Sequence, residues 1–293
     1  MKHYDNYLIV LGNEKGGAGK TTSTMHLIAS LIDLGFKVAS IDVDCRQLSL
    51  SRYLENRKNT ATRKNIELKS PDHYIVKASN KTTIEEIEQE ETANFIEALE
   101  LAKSKNQFII IDTPGSNSFL SRLAHSYADT IITPINDSFI DLDVLAKVEP
   151  ETFNIERPTI YSQMVWEQKM KKAKRDQGTI NWVVMRNRLS NIDAKNKRNM
   201  SYALDKLAQR IGFRVAPGFS ERVIFRELFL NGLTLLDIKP GLAAELNITT
   251  NVSHLAAKQE LRKFLQFLQI KEINQRLNNN ETAEEVEKEL ELA

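Results

Sequence analysis

Short apolar runs alternate along this chain with stretches whose apolar residues recur every three or four positions. Tyr7-Leu8-Ile9-Val10-Leu11 is the first run, and Met25, Leu27, Ile28, Leu31, Ile32 and Leu34 behind it follow the helical period. The runs at 37–44, 107–112, 130–134 and 179–185 repeat the strand signal. Continuous apolar stretches such as Phe108-Ile109-Ile110-Ile111 suit strands buried on both faces of a parallel sheet. The expected fold class is therefore α/β, a doubly wound, mostly parallel sheet with helices on both faces. Residues 60–80 are polar and weakly periodic, which predicts a long excursion with a short strand. Thr82–Glu100 predicts an amphipathic surface helix, and Leu255, Leu261, Phe264, Leu265 and Leu268 mark a last helix packed on the core. The expected division is a single domain over 1–273 and an acidic, loosely held tail over 274–293.

Composition changes this picture little. With 41% hydrophobic and 27% charged residues among 293, the chain matches an ordinary soluble domain, and no apolar run reaches the roughly 20 residues of a membrane span. No signal segment is recognisable, so a cytoplasmic protein is expected, and the first strand begins too near Met1 for a preceding DNA-binding domain. The single cysteine, Cys45, allows no internal disulfide and no thiolate cluster, and is expected to be a small buried side chain. His3, His26, His73, His125 and His254 have no metal-ligand spacing and read as surface or satisfied core residues.

The candidate chemistry begins behind the first run, in Asn13-Glu14-Lys15-Gly16-Gly17-Ala18-Gly19-Lys20-Thr21-Thr22. Glycine-rich sequence between a strand and a helix can curl its backbone N–H groups around a polyphosphate, with the helix start adding its positive dipole end. Gly16, Gly17, Ala18, Gly19, Lys20, Thr21 and Thr22 are the expected cradle. Lys20 would reach the β- and γ-phosphates, and the Thr21 hydroxyl would ligate Mg²⁺. Asp112, ending an apolar strand, suits a carboxylate that binds the same Mg²⁺, and Gly115 offers a pivot for a segment that senses the γ-phosphate. The strand before Asp42-Val43-Asp44 ends in two more acids, which should face the same side of the sheet.

The usual phosphate loop has glycine where this chain has Glu14, and does not require Lys15. The variant Lys-Gly-Gly-x-Gly-Lys-Thr resembles the deviant Walker A motif of the ParA/MinD family of P-loop ATPases. That resemblance implies ATP and Mg²⁺ as cofactors and an ATP-dependent homodimer in which Lys15 crosses to the partner's nucleotide. It also implies that Asp44 orients the attacking water, that Asp42 supports the Mg²⁺ shell, and that Asn187 contacts adenine. Within the family, Asp44-Cys45-Arg46-Gln47, Asn136-Asp137-Ser138-Phe139 and Phe225-Arg226-Glu227 are similar to the MipZ division-site regulators. The implied activity is an ATP-driven switch that binds nucleoid DNA and the partition protein ParB and restrains FtsZ assembly.

Charge is consistent with a polyanion partner. The chain carries a net +1, yet residues 161–226 hold fifteen Lys/Arg against five Asp/Glu, and Lys195, Lys197, Arg198, Lys206 and Arg210 fall on one predicted helix. No base-reading motif accompanies them, so contact with double-stranded DNA would be through phosphates and insensitive to sequence. The terminus is acidic, unlike a basic membrane helix, so no membrane contact is expected. Two other readings remain open on sequence: a ParA-type partition ATPase, and a P-loop ligase or kinase acting on a small substrate.

Overall fold

The computed structural model describes residues 6–149, 152, 155–189, 194–221, 224–238, 240–245 and 252–279. Its centre is a seven-stranded parallel sheet in the order β3-β2-β4-β1-β5-β8-β9. The strands are β1 (Tyr7–Leu11), β2 (Val38–Asp42), β3 (Asp72–Ile75), β4 (Phe108–Asp112), β5 (Thr130–Asn136), β8 (Asn181–Asn187) and β9 (Arg214–Ala216). Between β5 and β8 lies a separate antiparallel hairpin, β6 (Ala146–Val148) and β7 (Ile155–Pro158), which the sequence reading did not anticipate.

Alternation along each strand divides the core between the two faces of the sheet. Leu8, Val10, Ile109 and Ile111 pack on one side with helices α3 (Ile84–Lys103), α4 (Phe119–Tyr127), α6 (Ile160–Asp176) and α7 (Ala194–Ile211). Ile9, Leu11, Phe108 and Ile110 pack on the other with α1 (Lys20–Asp33), α2 (Ser49–Lys64) and α10 (Val252–Phe267). The short helices α5 (Phe139–Leu142), α8 (Ile224–Leu230) and α9 (Pro240–Glu245) lie in the connections. The doubly wound class is thus the observed one. β1 leads one way to β2, whereas β4 leads the other way, over β1, to β5, and the carboxyl ends of these central strands open a crevice.

Several boundaries differ from expectation. The excursion predicted over 60–80 begins later, because α2 continues to Lys64, where Asn65 in the left-handed conformation ends it. Its short strand is β3, the sheet edge. The tail boundary expected at 273 falls inside a helical stretch at 271–279: Ile273 and Leu277 are buried in the core, and Arg276 donates to Leu34 O at 3.2 Å. Residues 280–293, the acidic part of the expected tail, lie outside the described residues.

Candidate nucleotide site

The loop between β1 and α1 turns through Gly17 at φ +74° and Gly19 at φ +87°, conformations that a residue with a Cβ adopts at a cost. The Asn13 side chain braces its entry, donating to Pro134 O at 2.6 Å while accepting from Lys15 N at 2.6 Å. Beneath it, a methyl group at Gly12 would lie 2.0 Å from His125 Nε2, so only glycine lets the loop settle on that ring. Tyr161 donates to Gly12 O at 2.7 Å, and burial pushes His125 down to about 4, so the floor of the loop is neutral at ordinary pH.

The two lysines of the loop point in different directions. Lys20 is buried, and its ammonium donates to Asn13 O at 3.0 Å and Lys15 O at 3.1 Å. Burial lowers its pKa, while Asp112 and Asp44 oppose the shift. Lys15 instead turns outward with a side chain 37% exposed, and its ammonium pairs with the buried carboxylate of Asp141 on α5. Sequence reading missed Asp141, because 126 residues separate the partners.

Thr21, Asp42, Asp44 and Asp112 converge on the crevice. The Thr21 hydroxyl donates to Asp112 Oδ2 at 2.8 Å and the Thr24 hydroxyl to Asp112 Oδ1 at 3.0 Å. Asp42 and Asp112 stand in register on adjacent strands, both buried. Burial, and then the charge of Asp42, push the Asp112 carboxyl up to about 7. Two buried acids beside a threonine hydroxyl form a hard oxygen donor set with surplus negative charge, which fits Mg²⁺. Among the described residues no cluster of three or more His, Cys, Asp or Glu could cage a metal by itself. Mg²⁺ takes one or two carboxylates and completes its shell with water and phosphate, and Asp112 with Asp42 could supply that number. The oxygens of Asp42 accept from Asp44 N at 3.0 Å and from Ser51, so this acid supports the site from behind.

An open cavity of about 840 Å³ runs along this cluster, lined among others by Gly16, Gly17, Lys20, Thr21, Asp44 and Gly115. Asp44 Oδ1 also caps the following turn, accepting from Arg46 N at 3.3 Å and Gln47 N at 3.1 Å. Cys45 is half-buried, packed against the edge of the core, and also lines the cavity. A second, narrower cavity of about 250 Å³ adjoins the loop between Gly19, Thr22, Asn187 and Phe219, with Phe225, Phe229 and Leu235 in its wall. Its apolar rings suit a nucleoside base, and sequence reading missed them because Phe219 comes from a different segment than the Phe225 and Phe229 pair on α8. His26, read as surface or satisfied core, is buried in this wall: its Nδ1–H donates to Thr22 O at 2.8 Å and its Nε2 accepts from Leu235 N at 3.3 Å. Asn187 ends β8 with both functional ends on backbone, its Nδ2 donating to Ala18 O at 2.9 Å and its Oδ1 accepting from Arg188 N at 3.0 Å. It braces the phosphate loop as well as facing the cavity.

The five cations predicted on one helix do lie on α7. Arg198 is exposed. Lys206 and Arg210 turn toward the hairpin region, donating to Thr152 O and Ile155 O at 3.2 Å each. The side chains of Lys195 and Lys197 lie outside the described residues.

The family model described as ATPase MipZ matches residues 7–272, which take in the whole sheet and both cavities. The chain belongs to the MipZ ATPase family. Soj of Bacillus subtilis, a sporulation initiation inhibitor protein, is 27% identical over 159 residues, 48% of this chain and 62% of Soj. The septum site-determining protein MinD of Synechocystis is 34% identical over 124 residues, 38% of this chain and 46% of that protein. The aligned part of this MipZ-family chain thus spans about half the length of those relatives. The solved structure of MinD from Pyrococcus horikoshii, complexed with Mg-ADP, superposes with a TM-score of 0.53 at 19% identity, covering 87% of this chain and 94% of that one, and shares the fold. No helix among the described residues of this family member is long and apolar enough to cross a membrane.

Proposed function

We propose that this chain is an ATP-dependent dimerisation switch that hydrolyses ATP, binds nucleoid DNA without sequence preference, interacts with ParB and restrains FtsZ assembly to place the division plane. The observation that carries this reading is the division of labour between the loop lysines. Lys20 lines the phosphate cavity, whereas Lys15 lies outside it, half-exposed and paired with Asp141. An outward lysine at a phosphate loop suits a cation delivered to a second copy, as an arginine finger is delivered in trans. A ligase or kinase acting on a small acceptor has no use for it.

In this reading Lys20 holds the β/γ-phosphates, Thr21 and Asp112 hold the Mg²⁺ that neutralises developing charge, and Asp44 orients the water. Asn187 and the phenylalanine-lined cavity hold the base. Lys195, Lys197, Arg198, Lys206 and Arg210 present phosphate contacts, which two copies in a dimer would double. Lys15 must leave Asp141 before it can cross, so the ion pair belongs to the monomer. The protein is then cytoplasmic and nucleoid-bound.

Sedimentation of FtsZ polymers with wild type, Lys15→Ala and Asp44→Ala at equal concentration tests the whole reading. Asp44→Ala, held with ATP as a dimer, should disperse polymers at least as well as wild type, and Lys15→Ala should leave them intact. A ligand drives a switch only by favouring one of its states, so equal polymer mass in all three overturns the FtsZ assignment. If ParB still stimulates ATP hydrolysis in that case, the partition ATPase reading replaces it.

A further inference from the structure

Asp42 is tied to the edge of the sheet by a chain of hydrogen bonds with a definite direction. His73 of β3 stands opposite Ser40 of β2. Its Nδ1 is 2.8 Å from Ser40 Oγ, and its Nε2 is 2.9 Å from Ser51 Oγ. Ser51, in the first turn of α2, donates to Asp42 Oδ2 from its hydroxyl at 2.8 Å and from its backbone N at 3.0 Å. A carboxylate only accepts, so the single hydroxyl proton of Ser51 is committed to Asp42. The Ser51 oxygen must then accept from His73, which places the ring proton on Nε2. The remaining Nδ1 accepts, and Ser40 donates to it. Burial lowers the pKa of the ring, in keeping with this neutral form.

We propose that His73 and Ser51 are positioning residues for the Mg²⁺ and water-orienting carboxylates, fixing the direction of the Asp42 carboxylate and, through it, the Asp44 backbone. This rests on the nucleotide-switch reading of the site. Three donors converge on Asp42: Ser51 Oγ, Ser51 N and Asp44 N. Asp112, its neighbour across the strand pair, receives two threonine hydroxyls instead. Asp42 Oδ1 also holds the peptide of Asp44, so a rotation of the Asp42 carboxylate would carry the proposed water-orienting side chain with it. Without the His73 donor, the Ser51 hydroxyl loses what aims it, and Asp42 loses one of its three fixed directions.

The test uses the full-length protein and three variants. His73→Gln keeps an N–H near the Nε2 position, His73→Asn does not, and Ser51→Ala removes the link itself. Outer-shell partners of a metal typically contribute 10-fold or more to affinity or activity. His73→Asn and Ser51→Ala should therefore raise the Mg²⁺ concentration for half-maximal binding of a fluorescent ATP analogue by roughly 10-fold and lower kcat with little change in KM. His73→Gln should remain near wild type. Nucleotide binding in EDTA should be the same in all four proteins, which separates positioning from a folding defect. Long-range proton–nitrogen NMR of the metal-free wild type should show His73 as the Nε2–H tautomer. The proposal is overturned by an Nδ1–H tautomer, by an unchanged Mg²⁺ requirement in His73→Asn, or by equal defects in His73→Gln and His73→Asn. If Lys20→Ala binds the analogue as wild type does, the underlying nucleotide reading fails instead.

Discussion

Asp237→Asn removes one charge from a buried pair that holds the wall of the narrow cavity. Arg57, only 2% exposed in its side chain, makes four hydrogen bonds: Nη1 and Nη2 each donate to a different Asp237 oxygen at 2.7 Å, Nη1 also to Gly232 O at 3.0 Å, and Nε to Lys69 O at 2.9 Å. Asp237 in turn anchors Thr234, beside Leu235 of the cavity wall, by accepting from its N and Oγ1 at 2.7 Å. Breaking a buried pair by removing one partner costs about 3–5 kcal/mol, because the other charge is left uncompensated. Asparagine keeps the shape and one acceptor, so the expected loss is about 3 kcal/mol, a large part of the 5–15 kcal/mol typical of a domain. At about 2–4 °C per kcal/mol for a chain of this size, Tm should fall by about 6–12 °C.

The same pair gives a pH signature. Burial alone would raise the Asp237 pKa, but the Arg57 and Thr234 contacts outweigh it and hold it below the usual value. A depressed folded pKa contributes stability that is fully present above the unfolded value of about 3.9 and is lost as pH falls through the folded pKa. Wild type and Asp237→Asn should therefore differ by a constant amount near neutrality and converge below about pH 4. Urea denaturation followed by circular dichroism, across an acid series, measures both. A difference under about 1 kcal/mol at pH 7, the scale of a surface ion pair, would refute the reasoning.

Lys20→Ala should weaken binding of a fluorescent ATP analogue at least about tenfold, since a charge-assisted contact contributes about 1.5–3 kcal/mol; equal affinity in a folded variant would remove Lys20 from the phosphate site. Lys15→Ala should bind the analogue as wild type does and yet remain monomeric with ATP by size-exclusion chromatography, and normal dimerisation would end the crossing-lysine assignment. Arg198→Glu should weaken binding to unrelated duplexes about equally and flatten the salt dependence of binding; a loss confined to one sequence would contradict phosphate contact.

The alternation of buried strand and amphipathic helix was legible in the sequence because both periods are local properties of the chain, as in Phe108–Ile111 and in Met25–Leu34. The meeting of Thr21 with Asp112 was legible for a related reason. In a parallel sheet all carboxyl strand ends open on one side, so a loop after β1 and an acid ending β4 must come together. What tertiary structure alone decided depends on contacts between distant segments. Lys15 finds Asp141 only because β5 lies beside β1 and carries α5 to the loop. His73 reaches Ser51 only because β3 pairs in one particular register with β2, and a slip of one residue would turn its ring to the opposite face. The phenylalanine-lined cavity draws on Phe225 and Phe229, one turn apart on α8, and on Phe219 from a separate segment, and these meet only when the two segments close over α1. Leu277, past the expected boundary at 273, lies in Asn-rich, charged sequence that conceals its burial, which is set by the neighbouring α10 and not by its own surroundings in the chain.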